Sequence, residues 1–382
     1  MKPRILLVDD DPLLLAGLKR KLRRQFHIET AAGGAEALQM VADREAYAVV
    51  VADYRMPGMN GSDLLARIKA IRPDTVRMML TGSTDLGTAI QAVNEGHIFQ
   101  FHLKPCPADV LARAIDQGVA QYRQVAARNA QVKAMEKSMA LASEVQRNLM
   151  PKEHRLAEGL EIAGQSRWCD ETGGDYYDFF SRTVEGQSRT GIVIGDVTGH
   201  GIPSALLMTT ARAFLRERIT APGSTAAIMS DVNRHLARDV DGTHRFMSMF
   251  YAEIDANRRG ICWTRAGHDP ALVHTPGSDA VDELAGPGFP LPLGVMDAAV
   301  YEESRRALHP GQVIVIGTDG IWEARNPRGE YFGKNRLMSL VRQSAERPAP
   351  EMARTILDAL DAFREPNPPE DDATLVVIKI TD

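Results

Sequence analysis

Four short acidic motifs stand in the C-terminal part of the sequence, and three of them place an aspartate at the boundary of an apolar run beside a glycine or another small residue. They are Gly173-Gly174-Asp175, Gly195-Asp196-Val197-Thr198-Gly199-His200-Gly201, Thr318-Asp319-Gly320 and Asp371-Asp372-Ala373-Thr374. Glycine lets the backbone come close to a bound ion. The motifs supply oxygen ligands and no cluster of histidine or cysteine, a set that suits Mg²⁺ or Mn²⁺ better than Zn²⁺.

Two such ions, about 4 Å apart, can clamp a phosphate group and make a bridging water nucleophilic. The alternative is that each Asp-Gly pair only marks a turn. A single pair would not decide between the two. The seven-residue run Gly195–Gly201, together with the three other motifs, favours a two-metal site that cleaves a phosphate ester.

A second set of polar residues follows short apolar runs in the first 121 residues. Asp9 and Asp10 end the first run, Asp53 and Thr81 end later ones, and Lys104 ends the last. The carboxyl ends of parallel strands meet at the edge of a doubly wound sheet where ligands bind. Three carboxylates there need a cation such as Mg²⁺, and an aspartate beside that cation can attack phosphorus. A flavodoxin-like domain with incidental aspartates is the alternative.

The elements that must position this second set alternate between strand-like and helix-like runs. Short buried strands are predicted at 5–8, 48–51, 77–80 and 99–102, and helices at 13–22, 34–43, 62–71 and 86–94. Strands alternating with helices predict a parallel sheet that helices cover on both faces. Residues 1–121 are therefore predicted to form an α/β doubly wound domain.

A long helical pattern follows, because no proline lies between Asp109 and Met150 and only Gly118 interrupts the run. Apolar or permissive positions recur with heptad-like spacing, and the register breaks once. These positions are Tyr122, Val125, Asn129 and Val132, then Met135, Met139, Ala142, Gln146 and Leu149. The spacing predicts an interrupted coiled-coil linker over 122–152, with Asn129 setting the register of a homodimer. A single helix packed on its own domain is the alternative.

Residues 153–382 group their strands and helices instead of alternating them. Strands are predicted at 190–194, 250–254, 260–264, 271–274, 312–316 and 374–380, and helices at 204–220, 226–238, 335–344 and 351–363. This grouping predicts an α+β domain.

Composition excludes several classes of function. Residues 153–382 carry 24 Lys and Arg against 34 Asp and Glu, so this part lacks the basic face that DNA binding needs. Three widely spaced cysteines, Cys106, Cys169 and Cys262, argue against a disulfide framework and fit a reducing cytoplasm. No apolar stretch approaches the ~20 residues of a membrane span. We therefore expect a cytoplasmic protein with no nucleic-acid or membrane partner.

The first 121 residues resemble the response-regulator receiver family. The matching motifs are Val8-Asp9-Asp10-Asp11-Pro12, Asp53-Tyr54-Arg55-Met56-Pro57, Thr81-Gly82 and Lys104-Pro105. The resemblance implies a sensor histidine kinase as partner and Asp53 as phosphoacceptor. It implies one Mg²⁺ held by Asp10, Asp53 and the Arg55 carbonyl, with Asp9 acting through water. It also implies a phosphoryl group bound by Thr81 and Lys104. Phe101 occupies the position of the family's switching aromatic, although a core aromatic would look the same in sequence.

From about Leu141 to the C-terminus, the chain resembles the SpoIIE/RsbU-type branch of the PPM metal-dependent protein phosphatases. The four acidic motifs carry the resemblance, together with the helix Glu144-Val145-Gln146-Arg147-Asn148-Leu149-Met150-Pro151. It implies a β-sandwich flanked by helices that binds two Mn²⁺ or Mg²⁺ ions. Asp196 would bridge the ions, with Asp175 and the Val197 carbonyl on one, and Asp319 and Asp371, or less favourably Asp372, on the other.

The chain departs from the pattern of that branch at two places. Arg265 stands where an asparagine usually precedes Ala-Gly-His, and Cys169-Asp170 stands in place of a common Pro-Ala pair. Neither departure removes an implied metal ligand.

Together, the resemblances imply a response regulator whose output is dephosphorylation of a phosphoserine or phosphothreonine protein, controlled at Asp53. For this branch, the substrate is a phosphorylated anti-sigma-factor antagonist with the STAS fold. A non-enzymatic adaptor on a PPM-like scaffold is the first alternative, and the presence of every metal aspartate argues against it. A DNA-binding response regulator is the second, and the acidic C-terminal domain argues against it.

Overall fold

The chain folds into two compact units, Met1–Glu136 and Lys137–Asp382. The computed structural model describes residues 2–82, 98–151, 155–157, 159–184, 186–255, 260–278, 280–288 and 290–381. The predicted helix at 86–94 lies outside these residues. Division of the chain at residues 121 and 152 stays a prediction. Within the described ranges, no helix is both long and apolar enough to cross a membrane.

The N-terminal unit is a parallel sheet covered on both faces, as predicted. Its strands are β1 (Arg4–Val8), β2 (His27–Ala31), β3 (Val49–Asp53), β4 (Val76–Thr81) and β5 (Gln100–Leu103), and its helices are α1 (Pro12–Leu22), α2 (Gly34–Asp43), α3 (Gly61–Ile71) and the start of α4 (Ala108–Arg147). The strand order is β2-β1-β3-β4-β5. Along β1, Ile5 and Leu7 enter the core on one face, while Leu6 and Val8 enter the core on the other. The flavodoxin-like fold class is confirmed.

Strand β2 was not predicted, because its polar residues hide the strand pattern. It forms one edge of the sheet and pairs with β1 alone in the described part of the chain. Glu29 in β2 accepts hydrogen bonds from Arg4 (2.6 Å), Arg44 (2.5 Å) and the Tyr47 hydroxyl (2.8 Å). Burial favours a higher pKa for Glu29, but the hydrogen bonds have the larger combined effect and lower its pKa to about 2. A carboxylate that accepts hydrogen bonds from three side chains is tolerated in a half-buried strand.

Helix α4 begins where the sequence predicts and ends at Arg147, three residues before the predicted end at Met150. Gly118 does not interrupt it. A Cβ there would lie 2.6 Å from Met78 Cε, so glycine allows the helix to approach the sheet closely. Asn129 donates a hydrogen bond to Asp74 Oδ1 (2.8 Å) within the N-terminal unit. The helix also exposes Val132, Met135, Leu141 and Val145. The coiled coil and the homodimer stay predictions.

The C-terminal unit is a sandwich of two antiparallel sheets. The strands are β6 (Arg155–Ala157), β7 (Leu160–Arg167), β8 (Tyr176–Val184), β9 (Gln187–Val197), β10 (Met247–Asp255), β11 (Gly260–Ala266), β12 (Ala271–His274), β13 (Val281–Leu284), β14 (Ser304–Ala307), β15 (Val313–Gly317) and β16 (Ala373–Ile380). One sheet has the order β14-β11-β10-β9-β8 and the other β13-β12-β15-β16-β7-β6. Ile194, Phe250, Ile314 and Val376 belong to the core between the sheets.

Helices cover the outer face of each sheet. They are α5 (Ile202–Arg218), α6 (Thr225–Asp239), the single turn α7 (Asp319–Trp322), α8 (Lys334–Ser344) and α9 (Ala349–Arg364). Val193 packs in one core with Met208 of α5 and Val232 of α6. Val377 packs in another with Ile356 of α9. Each sheet is therefore apolar on both faces. The predicted β-sandwich flanked by helices is confirmed.

Candidate active site

Three of the predicted metal aspartates line one cleft of about 320 Å³ in the C-terminal unit. Asp196 is the penultimate residue of β9, Asp319 opens α7 two residues after β15, and Asp371 lies two residues before β16. Val197 lines the same cleft. The fold thus brings together residues that are 175 positions apart in sequence, between Asp196 and Asp371.

Asp175 belongs to the same charge cluster and is fully buried beside Asp196. The Thr318 hydroxyl donates to Asp175 Oδ2 at 2.8 Å, while Oδ1 has no hydrogen-bond partner among the described residues. Burial, followed by repulsion from Asp196, raises the pKa of Asp175 well above its ordinary value. Burial, followed by repulsion from Asp319, raises the pKa of Asp196 to about 7.

A divalent cation fits this cluster. The pKa values of Asp319 and Asp371 are also raised, by burial first and in Asp319 by repulsion from Asp371. Four acids that destabilise one another's charge, with a buried oxygen left without a partner, form an environment that a cation would stabilise. Oxygen ligands alone suit Mg²⁺ or Mn²⁺.

Asp371 and Asp372 differ in what their carboxylates contact. Asp372 is buried, and its two oxygens accept hydrogen bonds from the backbone N–H groups of Cys169 (2.8 Å) and Gly174 (2.6 Å). Asp371 is exposed and lines the cleft. Asp372 therefore anchors the loop before Asp175, and the arrangement favours Asp371 over Asp372 as a metal ligand.

Gly320 keeps α7 close to that anchor. A Cβ at this position would lie 2.0 Å from the Asp372 carbonyl oxygen. Any side chain would clash with this carbonyl and displace α7 from the segment that carries Asp371 and Asp372. The glycine of the Thr318-Asp319-Gly320 motif is therefore required by close packing and not by a turn.

Gln146 is a site residue that sequence analysis placed only in the heptad pattern. It is buried near the end of α4, and its amide forms two hydrogen bonds with the Gly173 backbone. Nε2 donates to the Gly173 carbonyl (2.6 Å), and the Gly173 N–H donates to Oε1 (3.1 Å). Gly173 is two residues before Asp175. The helix end is thus bonded directly to the loop that carries an acidic ligand candidate.

The Arg265-Ala266-Gly267-His268 segment contributes Gly267 and His268 to the lining of the cleft. Arg265 Nη1 donates to the His268 carbonyl (2.8 Å), and His268 Nδ1 lies 2.8 Å from the Ser248 hydroxyl. Burial lowers the pKa of His268 to about 4, so the imidazole is neutral at physiological pH. The unusual Arg265 thus contacts backbone and has a structural role here.

The N-terminal unit has its own acidic cluster at the carboxyl edge of its sheet. Asp9, Asp10 and Asp53 place one carboxylate oxygen each within 4.8 Å of the others. Lys104 Nζ lies 2.7 Å from both Asp9 Oδ2 and Asp53 Oδ1. Burial raises the pKa of Asp53, although the bond to Lys104 opposes the rise. The cluster can hold one Mg²⁺ beside a carboxylate that faces a fixed positive charge.

The other residues predicted for this site are Thr81, Phe101 and Arg55. Thr81 is buried at the end of β4, and β5 pairs with β4 so that Thr81 lies opposite Leu103, next to Lys104. Phe101 is partly buried and packs against the core that contains Leu64 and Met79. Arg55 follows β3 by two residues. The switching role of Phe101 stays a prediction.

Comparison with known proteins agrees with this geometry. Residues 186–381, just over half of the chain, match the family model of stage II sporulation protein E (SpoIIE), and residues 5–116 match the response regulator receiver domain. The phosphoserine phosphatases RsbU and RsbP of Bacillus subtilis are 28% and 25% identical over 63% and 64% of this chain. These alignments span 69% of RsbU and 58% of RsbP.

A solved structure supports the same assignment for the C-terminal unit. The SiaA-PP2C domain of Pseudomonas aeruginosa superposes with a TM-score of 0.55 and 27% identity, covering 65% of this chain and 98% of that domain. Fold, acidic cluster and family matches all point to the same group of enzymes. The chain therefore belongs to the SpoIIE family of PPM-type serine/threonine phosphatases, and it carries a response-regulator receiver domain in its N-terminal unit.

Proposed function

We propose that this chain is a two-component response regulator whose output is metal-dependent hydrolysis of phosphoserine or phosphothreonine on a protein. The observation that carries the proposal is the group Asp175, Asp196, Asp319 and Asp371, whose pKa values are raised by burial or partial burial and by repulsion from neighbouring aspartates. Such a group suits a pair of hard cations, and the exposed cleft beside it admits a phosphorylated side chain.

In this proposal, Asp196 would be shared by two Mn²⁺ or Mg²⁺ ions. Asp175 and the Val197 carbonyl would complete one site, and Asp319 and Asp371 would complete the other. Such ions, when bound, would supply Lewis-acid chemistry toward the phosphate and the attacking water. The protein's own groups do the positioning: Thr318 orients Asp175 through the 2.8 Å hydrogen bond, and Asp372 holds the Cys169–Gly174 loop.

We propose a phosphorylated STAS-domain anti-sigma-factor antagonist as the substrate and a sensor histidine kinase as the phosphodonor partner. The similarity to the phosphoserine phosphatases RsbU and RsbP supports a phosphoserine protein substrate. The decisive experiment is Mn²⁺-dependent release of phosphate from phosphorylated STAS proteins, with and without receiver phosphorylation. No hydrolysis of any phosphoprotein, together with tight binding of a partner, would favour the adaptor alternative.

The two adjacent aspartates give a paired prediction. Asp371→Asn should weaken activation by Mn²⁺ by about tenfold or more, because a direct ligand is lost, while the metal-free melting temperature changes little. Asp372→Asn should instead lower the melting temperature. The amide nitrogen that replaces one carboxylate oxygen cannot accept a hydrogen bond, so one of the two backbone N–H groups loses its acceptor. Leaving a buried group of this kind without a partner costs about 1–3 kcal/mol. Calorimetry and a Mn²⁺ titration of activity distinguish the two roles. The reverse pattern would make Asp372 the ligand.

Control by the receiver would pass along α4. Phosphorylation adds about −1.5 to −2 charges at Asp53. We propose that it shifts a coiled-coil homodimer, formed by the linker and the receiver, between two packings, and that the shift reaches the Gly173 loop through Gln146. A coupling free energy of about 1–3 kcal/mol would change activity ~5–150-fold.

The linker gives a second prediction. Inserting four Gly/Ser residues after Val132 should remove the response of the phosphatase rate to phosphorylation, because a flexible segment cannot transmit a rotation. Inserting seven helix-forming residues at the same place keeps the heptad register and should retain the response. The measurement is the ratio of phosphatase rates with and without beryllofluoride. A ratio unchanged by the Gly/Ser insertion would indicate direct contact between the domains instead.

A further inference from the structure

Three side chains with different donor atoms meet outside the acidic set, and one of them, His200, directly follows Gly199, which lines the cleft. Cys169 and Asp170 lie on the loop between β7 and β8, and His200 lies on the loop between β9 and α5. One donor atom from each side chain, a thiol sulfur, a carboxylate oxygen and an imidazole nitrogen, lies within 4.8 Å of the other two. None of the three belongs to the proposed pair of hard-cation sites.

The group is held in place by the surrounding structure. The Cys169 N–H donates to Asp372 Oδ1 (2.8 Å), which fixes the backbone that carries the thiol. His200 Nδ1 and Asp170 Oδ2 are 2.5 Å apart, so the imidazole is oriented toward the Cys169–Asp170 loop. The Cys169 residue is half-buried, whereas His200 and Asp170 are 59% and 40% exposed. A cation among them would keep one coordination position open to solvent.

The donor set selects a different ion from the acidic cluster. Thiolate sulfur, imidazole nitrogen and carboxylate oxygen all bind Zn²⁺ in proteins, and zinc sites with three protein ligands keep a fourth position open. Mn²⁺ and Mg²⁺ prefer oxygen ligands alone.

We propose that Cys169, Asp170 and His200 bind a thiophilic divalent cation, Zn²⁺ in particular, and that this binding inhibits the phosphatase. The ion would join the loop that leads to Asp175 with the loop that follows Asp196. Asp175 ends the first loop, and Asp196 and Val197 at the end of β9 directly precede the second, so tying the two loops together restricts the cleft. The inhibitory part rests on the proposed function, whereas binding of the ion does not.

Binding is tested with Co²⁺ as a spectroscopic probe on the full-length chain. A cobalt–thiolate bond absorbs strongly in the near ultraviolet, and oxygen-only sites in the cleft and the receiver do not. We expect the band in the wild type and in Cys262→Ser, its loss in Cys169→Ser, and its removal from the wild type by Zn²⁺. His200→Asn should weaken Co²⁺ affinity by about tenfold or more, since removal of even an indirect partner costs that much. Any of three results would overturn the proposed site: no band in the wild type, a band that persists in Cys169→Ser, or unchanged Co²⁺ affinity in His200→Asn.

Inhibition is tested by adding Zn²⁺ to the Mn²⁺-activated enzyme. We expect Cys169→Ser to retain basal activity and to need at least about tenfold more Zn²⁺ for half inhibition, whereas Cys262→Ser behaves as the wild type. Equal inhibition of all three proteins would show that Zn²⁺ acts by displacing the catalytic ions, and would overturn the inhibitory role. If no protein has phosphatase activity, the proposed function fails, and the cobalt titration still decides whether the site exists.

Discussion

Replacing Asp196 with alanine should lower Mn²⁺-dependent phosphatase activity by about a thousandfold or more. The side chain is proposed to contact both ions, and metal ions contribute several kcal/mol of transition-state stabilisation. Activity is measured as phosphate released from a phosphoprotein across a Mn²⁺ titration. Residual activity above a few per cent of the wild type would contradict the proposed role of Asp196.

The fold of this variant should survive, for a reason specific to the cluster. Repulsion from Asp319 and Asp371 disfavours a negative charge at Asp196. Removing the carboxylate therefore removes a destabilising interaction from the metal-free protein. We expect Asp196→Ala to melt at the wild-type temperature or above without metal, and to lose the stabilisation that Mn²⁺ gives the wild type. Asp239→Ala, which changes an exposed aspartate at the end of α6, is the matched control and should keep both activity and the Mn²⁺ effect. A lower metal-free melting temperature for Asp196→Ala would mean that the carboxylate supports the fold.

The second large effect concerns the receiver. Asp53→Asn should abolish covalent phosphorylation by acetyl phosphate with Mg²⁺, because an amide is not a nucleophile toward phosphorus. Lys104 already lies 2.7 Å from Asp53 Oδ1, in position to pair with a phosphoryl group. Intact-protein mass spectrometry should show one added phosphoryl group on the wild type and none on the variant. Asp43→Asn, at the exposed end of α2, is the control and should be labelled normally. Equal labelling of Asp53→Asn would place the acceptor elsewhere.

Sequence patterns predicted most of the fold because buried strands are apolar and helices repeat with a period near 3.6 residues. They failed where a buried polar side chain forms its hydrogen bonds with partners that are distant in sequence. Glu29 makes β2 look like a loop, since its partners Arg4 and Tyr47 are invisible to a local pattern. Similarly, Leu160–Arg167 and Tyr176–Val184 were missed as strands because glycine or polar residues interrupt their apolar alternation.

The acidic site was visible in its motifs, and the family resemblance favoured Asp371 over Asp372 as a metal ligand, but the contacts that distinguish the two residues were not visible. Asp371 and Asp372 are neighbours of the same type, and only the backbone N–H groups near Asp372 separate their roles. Gln146 illustrates the same difficulty, because its heptad-like position predicts a coiled-coil contact, and its hydrogen-bond partner Gly173 is invisible to a local pattern.

The two hydrogen bonds between Gln146 and Gly173 also bear on where the catalytic domain begins. A protein cut at residue 153, the boundary that motif positions suggest, would leave the buried N–H and C=O of Gly173 without partners, at a cost of about 1–3 kcal/mol for each. It would also lose the contact of the Leu149 carbonyl with Arg212 in α5. The smallest autonomous catalytic fragment should therefore start upstream of Gln146, and a shorter fragment that proved inactive would say nothing about its four aspartates.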